Sequence, residues 1–208
     1  HGRLFETTIS RSTSSVLVGN YLGEHVTPIL LLIAPLYRLW PDPRLLLVLQ
    51  TAAVASGALP LFALARRVTR RKTHALVVAI CYLAYPALGF VNLFDFHPIA
   101  LSIPAVFLAA WALEERRGIV FWGAVLLALS AKEELVVPLG IWAATMVFRS
   151  ERRWTGVKLL GLVAVWAVIS LGIIIPRYNE GEGYKLLGLW YRLFWIDAAP
   201  PQAGVAQA

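Results

Sequence analysis

Apolar residues run in long blocks along this chain, and short charged groups separate the blocks. The runs are Val26–Trp40, Leu45–Ala65, Ala75–Leu93, Ile99–Leu113, Ile119–Ala131, Leu135–Phe148 and Leu159–Ile175. They show neither the alternation of a half-buried strand nor the single apolar stripe of a soluble helix, which predicts helices surrounded by apolar material on all sides. Val26–Trp40 has 15 residues and carries Pro28 and Pro35, whereas a full span needs about 20. Residues 24–40 are therefore expected to form a re-entrant or juxtamembrane segment, with Tyr37 and Trp40 at headgroup level. The other six runs are read as spans of a transmembrane core over residues 41–176. The first is expected to kink near Pro60, and the second to be interrupted by Pro86 and Gly89. Residues 1–23 are rich in Ser and Thr and are read as an extracytoplasmic loop. Residues 177–208 are read as an extracytoplasmic loop or tail, with Trp190, Tyr191, Phe194 and Trp195 suited to the membrane interface. The expected fold class is all-α, a polytopic transmembrane helical bundle.

Charge fixes the expected orientation. Three loops on one side of this scheme carry Arg66, Arg67, Arg70, Arg71 and Lys72, then Arg116 and Arg117, then Arg149, Arg152, Arg153 and Lys158. With Glu114, Glu115 and Glu151 they hold eleven basic residues against three acids, a net +8. The remainder of the chain holds eight basic residues and nine acids, a net −1. Positive loops stay in the cytoplasm, so the chain is expected to be a multi-pass protein of the inner or plasma membrane. A rival scheme makes residues 118–148 one helix. That helix would be about 46 Å long against a hydrocarbon core of roughly 30 Å, and it would bury Lys132-Glu133-Glu134 at mid-bilayer. Two short spans meeting at the triplet fit better, and they leave it recessed below the outer surface.

Composition narrows the classes. Of 208 residues, 59% are hydrophobic and the mean hydropathy is +0.68, beyond the range of soluble domains. The net charge of +7 does not indicate nucleic acid, because the basic residues punctuate spans and form no face with stacking aromatics. The single Cys81 excludes a disulfide framework or a cysteine metal site within the chain and is expected to be a buried, inert thiol. With His1 in place of Met and an unpatterned end from Pro200, the chain is expected to be an internal piece of a longer protein.

The same parity places Glu24-His25, Asp95 with His97, Lys132-Glu133-Glu134, and Glu180 with Glu182 on the outer face. Ionisable groups at that depth are costly unless they face a partner, water or a substrate. Each group also has a plainer reading. Asp95 and His97 suit a polar turn between helices, Glu24-His25 the entry of an interfacial helix, Lys132 an ion pair with its neighbours, and Glu180 and Glu182 a solvated glycine-rich loop. Together they suit a phosphorylated substrate with a metal ion. Carboxylate oxygens and imidazole nitrogens bind Mg²⁺, Mn²⁺ or Zn²⁺. Lys132 offsets phosphate charge, and a carboxylate accepts a proton from a hydroxyl. No P-loop, dinucleotide fingerprint, nucleophile elbow or paired-His helix motif is present.

The stretch Gly23-Glu24-His25-Val26-Thr27-Pro28-Ile29-Leu30, with Phe94-Asp95-Phe96-His97-Pro98 and Lys132-Glu133-Glu134, resembles an uncharacterised family of polytopic bacterial and archaeal membrane proteins. The resemblance runs from about Arg3 to Tyr184. That family is similar to the integral-membrane C-type glycosyltransferases, which use polyprenyl-phosphate sugars. The resemblance implies a glycosyltransferase-like membrane core with Asp95 and Glu24 as catalytic acids. It also implies Asp95, His97 and Glu24 as metal ligands, and His25, His97, Lys132, Glu133 and Glu134 as substrate-binding residues. Glu24 to Pro28 would stand at the juxtamembrane acidic-Lys-Pro-Pro stretch of some relatives, with His25 in place of the Lys. The upstream span with its acidic loop, and the soluble outer domain of some relatives, have no counterpart in the chain. The implied partners are the lipid bilayer and a polyprenyl-phosphate sugar. The alternative is a transporter or flippase whose intramembrane Asp, His, Lys and Glu form a polar pathway, although no inverted repeat is visible.

Overall fold

The computed structural model describes residues 6–7, 19–93 and 95–179. The chain forms two compact units, residues 26–167 and residues 1–25 with 168–208. The 26–167 unit is helical throughout its regular structure. Helix α1 (Ile29–Leu39) has 11 residues and retains Pro35. At about 1.5 Å per residue it reaches roughly half the hydrocarbon thickness. Asp42 starts α2 (Pro43–Ser56): its carboxylate accepts the Arg44 N–H at 2.8 Å, and Pro43 takes the first helical position, where its missing N–H costs nothing.

Helix α3 (Ala58–Thr69) continues α2 after an interruption at Gly57, within one turn of Pro60, near which the sequence predicts a kink. Pro60 offers no N–H to the Ser56 carbonyl and crowds it, so the chain adjusts one turn earlier. Glycine is needed at position 57 because a Cβ there would lie 2.6 Å from the Tyr82 hydroxyl oxygen, which donates to the Val54 carbonyl at 2.6 Å. Helices α4 (Lys72–Leu83) and α5 (Pro86–Leu93) are separated at Ala84-Tyr85, because the residue before a proline is pushed out of helical geometry. Gly89, expected to interrupt this run, lies inside α5 without breaking it.

A 3₁₀ turn, Pro98–Leu101, leads into α6 (Ser102–Glu114), followed by α7 (Gly118–Ala131). Lys132 is extended, with φ −165° and ψ 146°, and a second 3₁₀ turn, Glu133–Leu135, enters α8 (Val136–Val147). Residues 118–148 are thus two helices. A third short turn, Ser150–Arg152, opens α9 (Arg153–Ala167).

Small residues make the helix pairs. Ala105, Ala109 and Ala112 of α6 and Ala124, Ala128 and Ala131 of α7 are buried in one core with Phe121, Val125 and Leu129. Such spacing lets backbones approach closely where lipid supplies no hydrophobic drive. On α9, a Cβ at Gly156 would lie 2.7 Å from the Val147 nitrogen and 2.9 Å from the Ala143 oxygen, so only glycine permits the α8–α9 approach. Many large apolar side chains lie on the outside: Ile119 is 92% and Phe148 88% exposed, with Leu39, Leu59, Phe90 and Leu93 also outward. An exterior of this kind is stable in lipid and not in water. Cys81 likewise faces outward from α4, which corrects the expectation of a thiol buried in protein. An apolar exterior needs apolar residues on every outer face, and Cys81 occupies one of them. Among the described residues, three helical stretches, Pro43–Thr69, Lys72–Leu93 and Ser150–Tyr178, are long and apolar enough to cross a membrane. Ile29–Leu39, Pro98–Glu114 and Gly118–Ala131 are apolar but shorter. The protein is an all-α helical bundle of membrane type.

In the other unit, the two-residue strands β1 (Glu6–Thr7) and β2 (Gly19–Asn20) pair antiparallel. The Asn20 side chain accepts the Leu22 N–H at 2.9 Å and starts a 3₁₀ turn, Tyr21–Gly23. A π-helical stretch, Val168–Ile174, enters the short α10 (Ile175–Tyr178), which packs on that turn. A Cβ at Gly23 would meet the Tyr178 carbonyl oxygen at 2.7 Å, so glycine is required there.

Candidate functional site

The connections of the 26–167 unit sort into two ends. Short links join α3 to α4, α6 to α7, and α8 to α9, and two ion pairs tie these three links together. Arg67 Nε lies 3.3 Å from Glu115 Oε1, and Arg152 Nη1 donates to Glu114 Oε1 at 2.8 Å. The hydrogen bond from Arg152 holds the Glu114 carboxyl below the usual carboxylate range, against some desolvation. Arg70 and Arg116 follow the C-termini of α3 and α6 with φ of 57°, positions where basic side chains suit the helix dipole. The three loops that carry the excess basic charge therefore share one end.

Opposite this basic end, α6 begins and α7 finishes, so the turns Pro98–Leu101 and Glu133–Leu135 lie together against α7. The anchor of the first turn is Gln50, fully buried in α2. Its amide nitrogen donates to the Val91 carbonyl at 3.0 Å and the Asp95 carbonyl at 3.2 Å, and its oxygen accepts the His97 N–H at 2.7 Å. One side chain thereby fixes the exit of α5 and the whole Asp95–His97 turn. Its signal in the sequence is a lone amide within an otherwise apolar run, a costly placement unless every polar atom is bonded. With its backbone clamped, the turn aims its side chains outward. His97 Nδ1 lies 2.9 Å from both the carboxylate Oδ1 and the carbonyl oxygen of Asp95. The Asp95 side chain is 70% exposed and that of His97 43%, so no other part of the chain covers them.

The second turn is anchored from within. Glu133 is fully buried, and its Oε2 accepts the Val26 N–H at 2.9 Å across 107 residues of sequence. That bond fixes the entry to α1 against the α7–α8 break. Lys132 Nζ and Glu134 Oε1 pair at 3.1 Å, both partly buried. The structure thus joins Asp95 to His97 and Lys132 to Glu134, and gives Glu133 to the backbone. It places all five at the end away from the basic loops.

Glu24 and His25 belong to the other unit. Their N–H groups both donate to the Tyr21 carbonyl, at 3.1 and 2.9 Å, and the His25 ring lies 5.9 Å from the Tyr21 ring at an interplanar angle of 59°. The turn holds both residues by backbone bonds, and both are half-buried. Glu180, Glu182 and the aromatic stretch from Trp190 lie outside the described residues, as do most of residues 1–23 and Phe94.

A divalent ion accepts oxygen and nitrogen ligands at about 2.0–2.2 Å. Two such ligands at right angles lie about 3 Å apart, so the 2.9 Å between Asp95 Oδ1 and His97 Nδ1 fits adjacent positions on one ion.

No curated protein and no solved structure matches the chain. A family model described as "Predicted membrane protein (DUF2079)" matches residues 1–191, nearly the whole chain. That description agrees with the apolar exterior, the small-residue helix seams and the three helices of spanning length. The chain belongs to the predicted membrane protein family DUF2079.

Proposed function

We propose that this chain is part of the membrane core of a glycosyltransferase that moves a sugar from a polyprenyl phosphate to an acceptor hydroxyl on the extracytoplasmic side of the cell membrane. The observation that carries the proposal is the Asp95–His97 pair. It is exposed, yet it stands on a turn that the buried Gln50 holds by its backbone. Sequestered side chains spent on holding an exposed acid and imidazole in place are characteristic of a site built for a ligand. In the reaction, the acceptor oxygen bonds to the anomeric carbon and the bond from that carbon to the phosphate oxygen breaks. The polyprenyl phosphate leaves, and the hydroxyl proton passes to a carboxylate. Asp95 and His97 would together hold a divalent ion, and that ion would bind the phosphate. Such an ion would neutralise charge on the leaving phosphate. Lys132, kept in place by Glu134, supplies a positive charge to the same end. Glu24 and His25 stay with the resemblance, and the proposal does not draw on them.

A second reading, a transporter or flippase, draws on Glu133. A carboxylate fully buried at a break between two apolar helices is the kind of group that carries protons through a membrane.

One assay separates the two. The whole protein that contains this chain, reconstituted in vesicles, is given synthetic polyprenyl-phosphate hexoses and a hydroxyl acceptor. The expected result is sugar transfer that falls roughly 100-fold or more in Asp95→Asn and persists in Glu115→Gln. Retained transfer in Asp95→Asn overturns the site. Proton-coupled flux lost in Glu133→Gln, with no transfer in any variant, favours the transporter.

A further inference from the structure

The basic end holds a second feature, and it stands apart from the proposed chemistry. A cavity of about 370 Å³ opens between the α6–α7 link and the start of α9. Arg116, Arg117 and Arg152 stand in its wall with Glu114 and Glu151, and Trp122 lines its apolar side. Arg152 and Glu114 satisfy each other. The other two arginines are differently placed. Arg117 lies 4.9 Å over the Trp111 ring, a contact that orients the guanidinium without using its N–H donors. Arg116 has no carboxylate partner among the described residues. It sits in the left-handed region, φ 57°, at the position after a helix where glycine is the usual occupant. A strained backbone carrying a long cationic side chain points to a use for that side chain.

Two further observations bear on the ligand. Helix α7 starts at this cavity with no side-chain cap, so its first N–H groups lack intrahelical acceptors. A Cβ at Gly118 would meet nothing within 4 Å, so no side chain packs against the first residue of α7. Next in sequence to the lining residues Gly118 and Thr155 come Ile119 and Trp154, both strongly exposed. Cationic side chains and open N–H groups suit a phosphate. The flanking apolar side chains suit hydrocarbon and would give nothing to a soluble anion.

We propose that this cavity binds the headgroup phosphate of an anionic phospholipid, with its acyl chains lying over Ile119 and Trp154. Basic pockets between helices on the positively charged side of a membrane protein are suited to such lipids. Bound lipid would brace the three loops that the Arg67–Glu115 and Glu114–Arg152 pairs already join.

The test is native mass spectrometry of the full chain in detergent, titrated separately with phosphatidylglycerol, phosphatidylcholine and soluble glycerol 3-phosphate. Phosphatidylglycerol is expected to bind selectively. Arg116→Gln with Arg117→Gln should weaken it roughly tenfold or more, since each basic residue near an anionic lipid is worth about fivefold. Glu151→Gln, which removes a like charge and leaves both arginines, should strengthen binding about two- to fivefold. It keeps the test decisive where the double variant does not fold. Equal binding of the two lipids, or a Glu151→Gln variant with unchanged or weaker binding, overturns the proposal. Glycerol 3-phosphate bound as tightly as phosphatidylglycerol would make the cavity a soluble-anion site and overturn the lipid assignment.

Discussion

At the basic end of the 26–167 bundle, Arg67 meets Glu115 and Arg152 meets Glu114 through side chains that water reaches. At the opposite end, Gln50 and Glu133 are sealed from water and grip backbone groups of distant segments. The first arrangement is cheap to make and cheap to lose, because exposed ion pairs contribute little. The second removes an amide and a carboxylate from solvent, which is tolerable only when nearly every polar atom finds a partner. Charge at the basic end thus records which loops share a side. Polarity at the other end builds a rigid platform on which Asp95 and His97 are displayed.

The contrast breaks most visibly at Glu133. Glu133→Ala should cost about 2–4 kcal/mol, because it strands the Val26 N–H and leaves a void. Glu133→Gln keeps an acceptor oxygen and should cost less than half as much. Thermal unfolding in detergent reads the difference. Equal midpoints for wild type and Glu133→Ala would remove Glu133 from the structural role given to it. Next comes Gln50→Leu, similar in volume but unable to bond. Two carbonyls and the His97 N–H lose their partner, at a cost of roughly 2 kcal/mol. Amide exchange at His97 should accelerate with it, and unchanged protection there would show that the turn is held by other means.

Smaller effects belong to the basic end. Glu114→Gln should cost under about 1 kcal/mol at neutral pH. The folded-state pKa of Glu114 is depressed. Its contribution is therefore present above the ordinary glutamate value, near 4.3, and is lost as pH falls through the folded value. Stability of the wild type and of Glu114→Gln should accordingly converge in acid and separate above about pH 5. A gap that widened in acid would contradict the pairing with Arg152.

The helical architecture was legible in the sequence because runs without periodicity leave few other folds. The break at Lys132 was legible because a helix over residues 118–148 outruns a bilayer. The interruption at Gly57 was legible to within a turn, since Pro60 withholds an N–H from the Ser56 carbonyl but does not mark which residue yields. The small-residue seams were hidden, because alanine counts toward hydropathy whether it faces lipid or another helix. Asp95, His97, Lys132, Glu133 and Glu134 stood out as charges between apolar runs. Gln50 carried the same kind of signal, more weakly, since an uncharged amide draws less notice than an acid. What no local pattern encodes is pairing across the fold, such as Glu133 with the Val26 N–H.

The central claim is that the basic loops lie on one side of the membrane and the polar turns on the other. Single cysteines in a Cys81→Ser background, labelled in sealed vesicles with an impermeant maleimide, test it directly. The account predicts that positions 70, 116 and 152 react from one side only, the cytoplasmic, and position 95 from the other. Labelling of positions 70 and 95 from the same side would contradict it.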